Sequence, residues 1–129
     1  MLLGLNHLTL AVSEVERSFR FYVEVLGFTP KARWHQGAYL TLGELWLCLS
    51  LDDARNDRTL SDYTHYAFSV APENFALIVE RLRKVGVQEW KSNHSEGESC
   101  YFLDRHALEI HCGDLASRLA APYQGMVFY

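Results

Sequence analysis

The residues Asn6–Val12 read NHLTLAV, and about half a chain later the residues Thr64–Val70 read THYAFSV. Each segment has a histidine in its second position, followed mainly by residues that favour β-strands. An amphipathic stretch that ends at a glycine follows both segments. This repeat predicts two similar modules, each opening on a strand that carries one inward histidine. If the modules pack symmetrically, His7 and His65 can meet at a single site that suits a metal ion.

The composition of the 129-residue chain excludes several classes of protein. Hydrophobic residues make up 49% of it and charged residues 22%, which is typical of one soluble globular domain with a real core. With a formal net charge of −4, it has no basic footprint for nucleic acid. It has neither the ~20-residue apolar run of a membrane helix nor a signal-peptide pattern, so we expect a cytoplasmic protein. Cys48, Cys100 and Cys112 lack C-x-x-C spacing and are expected to be reduced thiols.

The first module, about residues 1–51, combines strand and helix signals. A strand is predicted over Leu5–Val12, and Ser13 with Glu16 forms a capping-box pattern that opens a helix to about Leu26. The helix has a buried stripe at helical spacing and ends at a glycine; these residues are Phe19, Tyr22, Val23, Leu26 and Gly27. Three short strands are predicted next: about Thr29–Trp34, Gly37–Leu42 and Leu45–Ser50.

The second module, about residues 63–112, repeats this order after a polar connector at 52–62. A strand is predicted over Tyr63–Val70 and a helix over about Pro72–Val85, whose proline suits a first helical turn. Three strands follow: about Val87–Lys91, Ser99–Leu103 and Ala107–Cys112. A short helix, Leu115–Ala121, lies in the C-terminal segment 113–129. Each module is therefore β-α-β-β-β, and the predicted fold class is α+β.

An acidic residue in the last strand completes a possible metal site. Glu109 lies in the otherwise apolar stretch ALEIH, where a buried carboxylate is costly unless it is paired or bound to a metal. His7, His65 and Glu109 form a set of two histidines and one carboxylate, which suits divalent Mn, Fe, Co, Ni or Zn with open positions for catalysis. His111 has the same strand parity and competes with Glu109, although we favour a supporting or structural role for it. A duplicated fold without chemistry is the alternative interpretation of the repeat.

The duplication and its three candidate ligands resemble the vicinal oxygen chelate superfamily, which includes glyoxalase I, extradiol dioxygenases and bleomycin resistance proteins. Further blocks resemble one branch, the fosfomycin resistance thiol transferases that use glutathione, over almost the whole chain. These blocks are LNHLTLAV at 5–12, ARW at 32–34, GAYL at 37–40, LWLCLS at 45–50, DYTHYAF at 62–68 and WKSNHSEGESCYFLD at 90–104.

This resemblance implies a homodimer in which modules of different chains pair. Each site would then take His7 from one protomer and His65 with Glu109 from its partner. It also implies Mn²⁺ as the working metal, K⁺ as an activator, and a reaction in which the glutathione thiolate opens the epoxide of fosfomycin. The connection Leu103–Ala107 is two residues shorter than is usual in the family, an even number that can preserve the face on which Glu109 lies.

The resemblance also assigns roles to single residues. Thr9 matches a residue beside the epoxide oxygen, and Tyr39 matches one near the incoming thiol. Trp46 and Cys48 line the pocket beside the substrate carbons. The residues matched to the phosphonate are Lys91, Ser95, Ser99, Tyr101 and Arg118. The residues matched to a K⁺ loop are Asn93, Glu96, Gly97 and Ser99.

Two other functions remain open from the sequence. Epoxide hydration or isomerase chemistry also occurs in the superfamily, and hydration needs a carboxylate base, for which Glu44 in a predicted turn is the nearby candidate. A metal-free protein that sequesters a drug is the second alternative. The three intact metal-ligand candidates argue against sequestration, since that function needs no ligands.

Overall fold

The computed structural model describes residues 1–52, 64–91, 98–103, 106–112, 114–120 and 124–128, with the backbone alone for Trp90, Lys91, Ser117 and Arg118. The chain divides into two compact units, Met1–Arg58 and Thr59–Tyr129. Each unit contains one four-stranded sheet. The predicted connector falls mostly on residues 53–63, which lie outside the described residues.

The first unit follows the predicted order of elements. Its elements are β1 (His7–Val12), α1 (Val15–Arg20) continued by a π-helical segment (Phe21–Val25), β2 (Thr29–Trp34), β3 (Gly37–Leu42) and β4 (Leu45–Leu51). The strands lie in the order β1-β4-β3-β2, with β1 parallel to β4 and the other pairs antiparallel. A parallel pair at one side and a meander at the other is the arrangement that a β-α-β-β-β module requires.

One face of this sheet forms a hydrophobic core with the helix. Strand alternation turns Leu10, Leu40, Leu47 and Leu49 to the same side, where they are buried. α1 packs on β3 and β4. Tyr22 is fully buried, and its ring meets the Phe28 ring edge-on at 5.3 Å between centroids. The opposite face is left for polar and aromatic side chains.

The helix differs from the prediction at both ends. It begins after Glu14, which makes no side-chain cap hydrogen bond, so the capping box is wrong. Glu16 instead pairs with Arg20 at 2.8 Å and with Arg33, because a guanidinium offers a carboxylate stronger, charge-assisted hydrogen bonds than a backbone N–H does. The second half widens into a π-helix, with the Leu26 N–H donating to the Phe21 carbonyl at 3.1 Å.

The start of β1 also differs from the prediction. The strand begins at His7, where its pairing with Trp46 of β4 begins, and Leu5 before it is 79% exposed. His7 itself is exposed in the single chain. The histidine lies on the sheet face that the helix does not cover.

The second unit repeats the architecture. Its elements are β5 (Tyr66–Val70), α2 (Pro72–Lys84), β6 (Gln88–Lys91), β7 (Ser99–Leu103), β8 (Ala107–Cys112) and α3 (Leu115–Ala120). The strand order is β5-β8-β7-β6, with β5 parallel to β8. α2 packs on β8, and Leu82, Phe102 and Leu108 are among its buried residues. The α+β fold with two β-α-β-β-β modules is thus confirmed.

The shortened connection before β8 preserves the register. Leu103 pairs with Ala107, and Tyr101 pairs with Glu109. Glu109 therefore keeps the face that the alternation predicted. Residues 104 and 105 of the connection lie outside the described residues. The three cysteines are free thiols, as predicted, and no described helix is long and apolar enough to cross a membrane.

The close approach of β2, β3 and β4 depends on one glycine. A Cβ added at Gly37 would lie 2.5 Å from the Leu49 carbonyl oxygen and 2.8 Å from Cζ2 of Trp34. Both distances are shorter than contacts that real Cβ atoms make. The missing side chain at Gly37 thus lets the Trp34 indole lie against the neighbouring backbone.

We expect Gly37→Ala to lower the free energy of unfolding by about 1–3 kcal/mol, the usual cost of overpacking. Denaturant unfolding measures it. Gly43→Ala is the control: its φ is +56°, and no atom of the described residues lies within 4 Å of the added Cβ, so only conformational strain of about 1–2 kcal/mol applies. If Gly37→Ala leaves the free energy of unfolding unchanged while Gly43→Ala lowers it, the close packing at Gly37 does not matter.

Candidate metal and substrate site

One face of the second sheet carries a polar cluster. Cross-strand pairing places Tyr101 opposite Glu109 and Ser99 opposite His111. Residues directly opposite one another share a face, as do residues two apart on one strand, so these four side chains lie on the same face of the sheet. His65 precedes β5 by one residue and reaches the same cluster, where its ring meets the Tyr101 ring edge-on at 5.8 Å. Four polar or aromatic side chains thus surround one carboxylate, three of them placed by the strand register and His65 by its position just before β5.

The two oxygens of Glu109 have different neighbours. Nε2 of His65 lies 3.1 Å from Oε2. The Ser99 hydroxyl donates to Oε1 at 2.7 Å, and Nδ1 of His111 also lies 2.7 Å from Oε1. His111 in addition contacts the Ser99 oxygen through Nδ1 at 2.7 Å. Oε1 therefore contacts Ser99 and His111, and Oε2 contacts His65.

The surroundings keep Glu109 ionised although it is only 6% exposed. Burial raises the pKa of Glu109, but hydrogen bonds from Ser99, His111 and His65 together with the charge of His111 lower it by more, so that the net pKa lies below its ordinary value. A buried carboxylate that stays negative at neutral pH is the form that can ligate a cation.

The open face of the first sheet carries a row of rings. Pairing places His7 opposite Trp46, and Cys48 opposite both Thr9 and Tyr39. Ring centroids are 4.8 Å apart for His7 and Trp46, and 5.3 Å apart for Trp46 and Tyr39, which meet edge-on. Tyr39 is 39% exposed and Cys48 only 7%. This face presents aromatic edges, one hydroxyl and a buried thiol.

A neighbouring amide orients the His7 ring. Nδ1 of His7 lies 2.7 Å from Oδ1 of Asn6. Because an amide oxygen only accepts hydrogen bonds, Nδ1 carries the proton, and Nε2 of the neutral ring is left with the lone pair. This is the tautomer that a histidine ligand binding through Nε2 needs.

The structure gathers the predicted residues in two groups, one in each unit. The first group is His7, Thr9, Tyr39, Trp46 and Cys48, and the second is His65, Ser99, Tyr101 and Glu109. The backbone of Lys91 ends β6 opposite Tyr101, and that of Arg118 lies in α3. Asn93, Ser95, Glu96 and Gly97 lie outside the described residues.

The donor chemistry fits a divalent metal of intermediate hardness. His65 contributes an imidazole nitrogen and Glu109 an ionised carboxylate oxygen, which together suit Mn²⁺ and its neighbours. Among the residues that the structure describes, no three His, Cys, Asp or Glu side chains form a group able to hold a metal ion. The second unit therefore offers a pair of donors that needs at least one more ligand.

Two contributors were missed in the sequence. Asn6 holds the His7 ring, and the only available signal was its position next to the repeated histidine. Trp34 extends the aromatic row, meeting Tyr39 edge-on at 4.8 Å, although its motif was noted without a role. Both depend on side-chain directions that alternation alone does not specify.

The chain is similar in sequence to known proteins. The profile of the Glyoxalase/Bleomycin resistance protein/Dioxygenase superfamily matches residues 4–106. The chain belongs to this superfamily. It is 57% identical to glutathione transferase FosA of Serratia marcescens, over 99% of this chain and 96% of that protein. It is 35% identical to metallothiol transferase FosB of Shouchella clausii, over 93% of this chain and 87% of that protein.

A solved structure has a closely similar fold. It is a variant of the fosfomycin resistance protein FosX from Listeria monocytogenes, complexed with Mn(II) and 1S,2S-dihydroxypropylphosphonic acid. The TM-score is 0.81 at 26% identity, and the match covers 92% of this chain and 99% of that one. The structural similarity thus covers nearly the whole length of both chains.

The lowered pKa of Glu109 predicts how its carboxylate affects stability. Its stabilising contribution is fully present above the unfolded pKa, about 4.5, and is lost as pH falls through the lower folded pKa. In metal-free protein, the difference in unfolding free energy between wild type and Glu109→Gln should therefore shrink as the pH is lowered from 6 towards 3. Denaturant unfolding at several pH values measures this, with exposed Glu44→Gln as the control. A difference that grows towards low pH would contradict the assignment.

Proposed function

We propose that the protein inactivates fosfomycin by adding glutathione to its epoxide, and so confers resistance to this antibiotic. The observation that carries the proposal is the 57% identity, over nearly the full length, to a glutathione transferase FosA. A buried, ionised glutamate beside a histidine gives the geometric support. Both features are expected of a metal-assisted transferase.

The chemistry defines what the site must do. Fosfomycin is a small phosphonate dianion with a strained three-membered ether. The glutathione thiolate forms a carbon–sulfur bond, the carbon–oxygen bond on that carbon breaks, and the released oxygen takes up a proton. The protein must therefore hold the dianion, align the thiolate with the epoxide carbon, and stabilise charge that develops on oxygen.

We infer that His7, His65 and Glu109 hold a divalent metal, with Mn²⁺ as the working ion. The two nitrogens and one carboxylate oxygen support this, as does the Mn(II) in the FosX complex. Such a metal supplies a Lewis acid for the epoxide oxygen. The protein's own contribution is to present Nε2 of His7 and of His65 and an ionised Glu109.

Other residues of the proposal hold the two substrates. Positive charge from Lys91 and Arg118, with hydroxyls of Ser95, Ser99 and Tyr101, would bind the phosphonate through charge-assisted hydrogen bonds. Thr9 would lie beside the epoxide oxygen, and Tyr39 beside the thiol. Trp46 and Cys48 would enclose the substrate carbons. Lone pairs of oxygen atoms in Asn93, Glu96, Gly97 and Ser99 suit K⁺ as an activating ion.

We propose that the active unit is a homodimer in which the two sites are shared between chains. Each site takes His7 from one protomer and His65 with Glu109 from its partner. Support comes from the second unit, where His65 and Glu109 supply two donors side by side. The exposed His7 has its Nδ1 held by Asn6, as a ligand prepared for a site would. The three free cysteines suit the reducing cytoplasm, where we place the enzyme.

Epoxide hydration is the second candidate. The FosX variant of similar fold was crystallised with 1S,2S-dihydroxypropylphosphonic acid, a phosphonate diol. Here the candidate base, Glu44, is exposed in the turn between β3 and β4. A carboxylate open to solvent lacks the enclosed position that a catalytic base needs.

Product analysis by mass spectrometry distinguishes these functions. With fosfomycin, Mn²⁺ and glutathione, we expect a product whose mass is the sum of both substrates, and no turnover with water alone. His65→Ala and Glu109→Ala should lower the rate by at least about a hundredfold because each removes a ligand, while Glu44→Gln should retain it. Circular dichroism checks that each variant is folded. Formation of the diol without thiol would favour hydration, and unchanged fosfomycin would favour sequestration.

Mixing two inactive variants tests the shared site. When His7→Ala and His65→Ala chains exchange subunits, random pairing yields mixed dimers in which one site is intact and the other lacks both histidines. In a 1:1 mixture about a quarter of all sites should then recover activity, because about half of the dimers are mixed and each has one intact site of two. Native mass spectrometry verifies exchange. Mixed dimers without activity would mean that each site is built within one chain.

A further inference from the structure

The two oxygens of Glu109 differ in a way that assigns roles to its neighbours. Oε1 lies 2.7 Å from both the Ser99 hydroxyl and Nδ1 of His111, whereas Oε2 lies 3.1 Å from Nε2 of His65. The Oε1 contacts are short, charge-assisted hydrogen bonds. A carboxylate whose first oxygen is held twice can offer a cation only its second oxygen without breaking those bonds.

The direction of each hydrogen bond follows from the available protons. An ionised carboxylate only accepts, and the single proton of Ser99 goes to Oε1. Nδ1 of His111 faces two oxygens, one of Glu109 and one of Ser99, so it must carry a proton and donate. Nδ1 carries this proton both in the neutral Nδ1–H tautomer and in the charged ring.

The strand register builds this arrangement. Ser99 and His111 are directly paired across β7 and β8, and Glu109 lies two residues before His111 on the same face. On the other side of Glu109, β5 places Ala67, whose methyl group offers no hydrogen bond. The donors to Oε1 thus come from β7 and from β8 itself, while His65 approaches Oε2 from the start of β5.

We propose that His111 and Ser99 are positioning residues that hold Oε1, so that Glu109 presents Oε2 alone, beside Nε2 of His65, as a one-oxygen metal ligand. The inference rests on the proposed function only in taking Glu109 as a metal ligand. It gives His111 a role through Glu109 and not as a ligand. The Ser99 hydroxyl then has Glu109 as a hydrogen-bond partner, in addition to the phosphonate or K⁺ proposed above.

Mn²⁺ binding to the dimer, without fosfomycin or glutathione, tests this directly. Electron paramagnetic resonance counts free Mn²⁺ in K⁺-free buffer, so that neither turnover nor the K⁺ loop affects the reading. Loss of a residue that orients a ligand typically costs 10–100-fold in metal affinity, and we expect this for His111→Ala and for Ser99→Ala. His111→Asn and Ser99→Thr keep a donor near the original atom and should recover most of that affinity.

A matched serine gives the control. Ser69 pairs with His111 from β5, on the side opposite Ser99, and is exposed. Ser69→Ala should leave Mn²⁺ affinity unchanged. If Ser69→Ala and Ser99→Ala weaken binding equally, the effect is a general loss of packing and the proposal fails. It also fails if wild type binds no Mn²⁺, or if the His111→Ala and Ser99→Ala variants bind it as wild type does.

Infrared difference spectra supply a readout that a purely structural role would not change. A carboxylate bound through one oxygen has a wider separation between its two stretching bands than one bound through both. The difference spectrum of wild type minus Glu109→Gln, both with Mn²⁺, should show the wide separation between the two carboxylate bands. The His111→Ala substitution should narrow that separation. If His111→Asn loses Mn²⁺ as fully as His65→Ala, His111 is itself a ligand and the proposal is wrong. Absence of a glutathione adduct would contradict the proposed function but not this result.

Discussion

The ionised carboxylate of Glu109, buried in the middle of an apolar strand, is the constraint on which the second unit depends. Burying an unpaired carboxylate costs several kcal/mol, which is a large part of the stability of a domain this size. The sheet meets that cost through its register, which brings Ser99 and His111 to one oxygen and leaves the other beside His65. The hydrogen bonds that stabilise this buried charge also fix the orientation of the carboxylate group.

The two modules share a framework but use it differently. In both, the first strand runs parallel to the last, so the residue two after the histidine lies opposite the centre of the last strand. That central position is Cys48 in the first unit and Glu109 in the second, and a tyrosine faces it in each, Tyr39 and Tyr101. The two modules thus have equivalent positions at the centre of the last strand. Because this position is a cysteine in the first unit and a glutamate in the second, the first sheet presents aromatic rings and the second a carboxylate. The repeated histidines of the two modules, His7 and His65, each have a neighbouring side chain at one ring nitrogen.

The fold was largely predictable because strand alternation and glycine stops are local signals. The strands Thr29–Trp34 and Ala107–Cys112 have the predicted bounds, and the parity that set Glu109 on the open face was visible in the sequence. The capping box failed because Glu16 found two arginines, one of them distant in the chain. The π-helical turn and the exposure of His7 also depend on tertiary packing. Within the site, the sequence identified the donors, but the choice between the two oxygens of Glu109 depends on side-chain geometry that no spacing encodes.

A crystal structure of the Mn²⁺-loaded protein, with diffraction data collected on both sides of the manganese absorption edge, tests the central claim most directly. We expect one anomalous peak within bonding distance of Nε2 of His65 and Oε2 of Glu109, with Nε2 of His7 from the partner protomer as the third protein ligand. Oε1 should keep its hydrogen bonds to Ser99 and His111. A peak bonded to His111, or to both oxygens of Glu109, would contradict the account.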